Sequence, residues 1–144
     1  MRSTIVVVLQ VFPAPDSPGQ TGGTISNLAL LRVLAREYRV VVLSFDLDSS
    51  AQDFVDEAFE VVSHPAPRWR GLSLARRWLG FVKARVAALL DSMPGGPPSA
   101  LVASTSTLAA FNACDPRTKR IALIQAFENF GFRASTVPLG RQKL

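Results

Sequence analysis

The chain has 144 residues, 48% of them apolar, a single cysteine and a formal net charge of +5. That is the length of one ordinary domain with apolar mass enough for a core, which excludes global disorder. No apolar run reaches the roughly 20 residues that a membrane-spanning helix needs.

The first element is a nearly unbroken β-branched run from Thr4 to Phe12, the pattern of a strand covered on both faces in a parallel sheet. The next eleven residues, Pro13 to Gly23, hold three prolines and three glycines and read as a loop. A helix follows from Thr24 to Arg36, with Ile25, Leu28, Leu31 and Ala35 on one stripe that Leu30, Val33 and Leu34 widen. Arg39 to Ser44 is the second strand, and Asp46 to Asp53 a polar loop. A helical turn is expected from Gln52 to Ala58, and a short third strand from Phe59 to His64, stopped by Pro65-Ala66-Pro67.

Leu72 to Leu90 is the longest helix, with Leu74, Trp78, Val82, Val86 and Leu89 at helical spacing. It ends in Asp91 to Pro98, a Pro/Gly turn rather than a linker, because structure resumes at once. Ser99 to Ser104 is the fourth strand, Thr107 to Cys114 a short helix and Lys119 to Phe127 the fifth strand. Glu128 to Leu144 shows no clear period. Strands alternating with helices over short connections imply one domain, an α/β Rossmann-like three-layer sandwich with a mainly parallel sheet.

In such a sheet ligands bind where strand carboxyl ends meet helix N-termini. Gly22-Gly23 falls at that place. Residues without Cβ let a diphosphate or sugar approach the free N–H groups of a helix start, although the pair reads equally as a tight turn. Ser104-Thr105-Ser106-Thr107 sets four hydroxyls where a strand meets a helix; one is expected to serve as N-cap and another is a pocket candidate.

Several features point away from other chemistries. G-x-G-x-x-G needs a tight strand-to-helix turn, so the eleven-residue loop argues against a nicotinamide-cofactor domain, and no Gly-Lys-Ser/Thr run supports a P-loop. Asp46 and Asp48 form a D-x-D pair without an evident third ligand, so they read as solvated loop and no metal is expected. His64 is the only histidine and reads as a satisfied surface or core residue. Cys114, the only cysteine, excludes an internal disulfide and reads as a packing residue. Arg2 and the apolar run after it imitate a signal peptide. The run is short, β-branched and broken by Gln10, without a small-x-small site, so a cytoplasmic protein is expected.

Charge is uneven along the chain. Seven of the eleven acids lie between Glu37 and Glu60, whereas Val61 to Leu90 has none and carries Arg68, Arg70, Arg76, Arg77, Lys83 and Arg85. Trp69, Trp78 and Phe81 interleave with these bases. That composition suits an anionic membrane face, against the plainer reading of a core helix with a wet basic side. Nucleic acid is not expected, because no recognition module accompanies the charge.

Four stretches together carry a family resemblance. The first strand with Phe12-Pro13-Ala14-Pro15, then Gly22-Gly23 and a helix bearing Leu28, Leu31 and Leu34, resembles the start of GT-B glycosyltransferases of the family 4 type. Tyr38 to Leu43, Pro98 to Ser104 and Ile121 to Glu128 continue the likeness in order; the last is similar to the Gln-x-Phe-Glu turn of rhamnosyltransferase-like members. The resemblance implies the acceptor-side domain of a two-domain enzyme that transfers sugar from a nucleotide-sugar donor to a carbohydrate or lipid-linked acceptor. It implies that the donor is held mainly by a second domain, that this domain alone is catalytically silent, and that no separate cofactor is used. Gly22, Gly23, Ser104, Thr105, Gln125 and Glu128 are the implied acceptor-binding positions, although Glu128 reads equally as a cap of the next turn. Many members carry a histidine at the end of the fourth or fifth strand. Here Ala103 or Ser104 and Gln125 take those places, and an amide orients a hydroxyl without shuttling a proton. The alternatives are a nucleotide- or NAD-binding Rossmann domain and a non-enzymatic module that docks to a partner or membrane.

Overall fold

The computed structural model describes residues 2–10, 22–45, 59–64 and 74–124, with backbone alone for 22–26 and 74. Five strands, β1 (Thr4–Leu9), β2 (Arg39–Ser44), β3 (Phe59–Ser63), β4 (Ala100–Ser104) and β5 (Lys119–Leu123), form one sheet in the order β3-β2-β1-β4-β5. Every pairing is parallel, so the α/β Rossmann-like expectation holds. Ile5 pairs with Val40 on one side and with Ala100 on the other, which makes the first strand the middle of the sheet.

Burial follows from that position. Ile5 to Leu9 and Val40 to Ser44 are all buried, as the continuous apolar runs required. Alternate residues face opposite layers. Ile5, Val7, Leu9, Val40, Val42, Ala100 and Val102 meet helix α1 (Gly22–Leu34) through Leu28 and Leu31, and Ala35 just past its end joins them. Val6, Val8, Leu43, Leu101 and Ala103 meet helix α2 (Leu74–Ser92) and a 3-10 helix (Thr105–Ala113). The fully buried Val82 and Val86 anchor α2, each worth about 1.5–3 kcal/mol by burial. Phe45, just past β2, meets Trp78 and Phe81 edge-on at 5.3 and 5.6 Å.

Some boundaries and faces differ from expectation. β1 ends at Leu9 with Gln10 exposed, three residues short of Phe12. Val33 is 54% exposed rather than part of the core stripe of α1, because Leu28, Leu31 and Ala35 already fill the sheet-facing arc. The long helix, expected to end at Leu90, continues to Ser92, and its expected start at Leu72 lies outside the described residues. β3 stops at Ser63 and β5 at Leu123. Residues 52–58, where a helical turn was expected, lie outside the described residues.

The helix expected at Thr107 to Cys114 is a 3-10 helix that starts at Thr105 and is kinked at Thr107, whose φ of −119° and ψ of 19° are not helical. Hydroxyl side chains compete with the backbone for hydrogen bonds, and the Thr107 hydroxyl bonds the Val8 carbonyl on distant β1 at 2.9 Å, with the Ser104 carbonyl 3.2 Å away.

Candidate functional site at the carboxyl edge of the sheet

The strand order fixes where a ligand crevice can open. From β1 the chain moves outward to β2 and β3, then returns across the sheet to β4 on the other flank of β1. Connections leaving β1 and β4 therefore diverge, and the gap between their carboxyl ends is the topological switch point. Gly22-Gly23 forms the first turn of α1, the helix that connects β1 to β2. Such a crossover helix runs against its strands, so its N-terminus stands at this same edge. The glycines are thus inside the helix start, two residues earlier than the Thr24 expected.

At the end of β4 the hydroxyls divide by role. Ser104 is buried, and its oxygen lies 2.9 Å from that of Thr107. The Thr107 hydroxyl lies 2.9 Å from the carbonyl of Val8. A threonine has one proton to give, so donation to Val8 leaves Ser104 as donor to Thr107, the direction assigned from the network. Ser104 does occupy the N-cap position, but its side chain makes no cap bond, which corrects the expectation of a side-chain cap. Thr105 is exposed at the rim. The structure thus brings Ser104 and Thr105 to the switch point, with Ser104 turned inward and Thr105 outward. Gln125 and Glu128 lie outside the described residues, as do Asp46 and Asp48.

Two polar groups were not singled out from the sequence. Ser44 and Ser63 pair in register at the ends of β2 and β3. Both hydroxyls are shut off from water and lack hydrogen-bond partners among the described residues. The available signal was a serine closing each of two apolar strands at the same register.

His64 follows Ser63 and is half-buried, its backbone N–H donating to the Ser44 carbonyl at 2.9 Å. Burial holds its imidazole below the ordinary 6.5, and the positive charge of Arg85 lowers it further. The ring is therefore mainly neutral at pH 7. Burial raises the Cys114 thiol, with Arg120 pulling the other way. Cys114 packs beside the α2 layer, its Sγ 3.8 Å from the Ala110 carbonyl. No group of three or more His, Cys, Asp or Glu suited to a metal occurs among the described residues.

The basic helix divides cleanly. Trp78 and Phe81 turn inward; the Trp78 indole donates to the Ser106 carbonyl at 2.7 Å. Arg76, Arg77, Lys83 and Arg85 are exposed, with Leu79 (51% exposed) on the open surface too. Arg85 also sits over the Phe81 ring at 5.4 Å. Among the described residues no helix is long and apolar enough to cross a membrane.

No protein-family model matches this chain, and a search of curated proteins returns no match.

Proposed function

We propose that this domain is the acceptor-binding half of a GT-B glycosyltransferase of the family 4 type. The observation that carries the reading is the switch point between β1 and β4, with a helix opening on Gly22-Gly23 at its edge. In this reading the Gly22 and Gly23 N–H groups, the Thr105 hydroxyl, Gln125 and Glu128 hold the hydroxyls of a carbohydrate or lipid-linked acceptor. Ser104 keeps the floor of the crevice in place through Thr107. A second domain holds the nucleotide-sugar. There the acceptor hydroxyl's oxygen forms the new bond to the anomeric carbon, the bond from that carbon to the diphosphate breaks, and the nucleoside diphosphate leaves with the hydroxyl's proton.

The exposed bases of α2 support a peripheral position on an anionic membrane, a cytoplasmic face in this reading. Because Trp78 and Phe81 point into the core, that attachment is mainly electrostatic and salt-sensitive.

A second reading takes its support from the strand order, which is also that of dinucleotide-binding domains. The eleven-residue loop before α1 opposes it. Thermal unfolding of the chain with acceptor saccharides, polyprenyl-phosphate-linked sugar, nucleotide-sugars, NAD and anionic liposomes separates these readings. An acceptor is expected to raise the midpoint while NAD leaves it unchanged. Stabilisation by NAD alone overturns the transferase reading, and a response to liposomes alone assigns a docking module.

A further inference from the structure

Independently of the carboxyl-edge site, a half-open hollow of about 630 Å³ lies at the opposite, amino edge of the sheet. Arg2, Tyr38, Arg39, Glu60, Gly95 and Gly96 line it. Its size is that of a small-molecule pocket.

Among the described residues, one contact holds each arginine in place. Arg2 donates from Nη1 to the Ala35 carbonyl at 3.0 Å, where α1 has just ended. Arg39 pairs through Nη2 with Glu60 Oε1 at 2.8 Å. A guanidinium has five N–H donors, so most donors of both remain free among the described residues. Among the described residues that line it, two positive charges stand against one carboxylate. Gly95 adds a backbone N–H with no hydrogen-bond partner among the described residues, whereas the Pro94-Gly95 turn directs the Gly96 N–H back to the Met93 carbonyl. Both glycines have φ of +86°, a conformation that side chains resist, and Pro94 and Pro97 flank them. The two prolines fix φ on either side of the pair.

We infer that this hollow is a binding site for the oxyanion, phosphate or carboxylate, of a small molecule, held by Arg2, Arg39 and the Gly95 backbone N–H. Convergent guanidinium and amide donors are the groups that recognise such anions. Tyr38 provides a ring against which the body of the ligand rests. Glu60 is the internal competitor: it orients Arg39 while occupying one of its donors.

The test is amide NMR of the isotope-labelled full chain, titrated with inorganic phosphate, acetate and chloride at matched ionic strength. Saturable shifts at Gly95, Gly96 and Arg39 with phosphate are expected, weakened about 10-fold in Arg39→Gln and in Arg2→Gln. Glu60→Gln is expected to tighten binding several-fold, a gain that loss of folding cannot imitate. A stronger response to phosphate assigns a phosphate ester, and a stronger response to acetate a carboxylate. Equal response to chloride, no saturable shift at millimolar phosphate, or no tightening in Glu60→Gln overturns the inference.

Discussion

The hydroxyl of Thr107 bonds the carbonyl of Val8 at 2.9 Å, although the two residues are 99 positions apart. It ties the exit of β4 to the end of β1 and so fixes the width of the switch point. Thr107→Val keeps the shape but removes the donor and leaves the buried Ser104 hydroxyl without its partner. A loss of about 1–3 kcal/mol is expected. Ser104→Ala in the Thr107→Val background should then cost little more, and a double-mutant cycle by urea unfolding checks this.

Burial separates two leucines of similar appearance in the sequence. Leu101 in β4 is fully buried, whereas Leu79 on α2 is 51% exposed. Leu101→Ala is expected to cost about 2–5 kcal/mol. Leu79→Ala should stay within about 0.5 kcal/mol. Denaturant midpoints at unchanged slope measure both.

The single histidine makes acid titration legible. With its folded value below the ordinary 6.5, His64 takes up its proton more readily in the unfolded chain. Stability contributed by the neutral ring is present above that value, and is lost as pH falls through it towards the folded value. His64→Gln should flatten this part of the pH profile. In Arg85→Gln the imidazole midpoint, followed by NMR, should rise yet stay below 6.5, because burial is the larger cause.

Gly22 and Gly23 are predicted to matter for ligand and not for folding. Gly23→Val should weaken acceptor binding about 10-fold by blocking approach to the helix start. Its thermal midpoint without ligand should change by only a few degrees. Calorimetric titration against the wild-type chain measures the first, and unchanged affinity counts against the proposed acceptor site.

Charge reversal on α2 tests the membrane position. Arg76→Glu with Arg77→Glu should abolish sedimentation with anionic vesicles at low salt. The wild-type chain should lose it gradually as salt rises. Equal binding to neutral vesicles would refute an electrostatic attachment.

The sheet was legible because its signal is one-dimensional. Unbroken β-branched runs at Thr4 and Arg39 have one economical home, the middle of a parallel sheet, and both are buried there. The α2 stripe was equally plain, since Val82 and Val86 recur at helical spacing. What escaped depends on three-dimensional competition. The kink at Thr107 arises from a carbonyl on a distant strand. The inward turn of Trp78 depends on Phe45, which sequence spacing does not reveal. The pairing of Ser44 with Ser63, whose hydroxyls have no partner among the described residues, becomes visible only once β2 and β3 are in register. The amino-edge hollow joins Arg2 to Gly95, and no local pattern connects them.

The central place of β1 has a consequence for synthesis. Within this domain β1 is synthesised before either of the strands that flank it, and its partner from Ala100 onward comes much later than β2. At ordinary elongation rates that leaves the Val6-Val7-Val8 edge bare for roughly 5–20 s. A nascent chain carrying so sticky a ribbon depends on holdase chaperones, and overproduction without them should send much of the product into inclusion bodies.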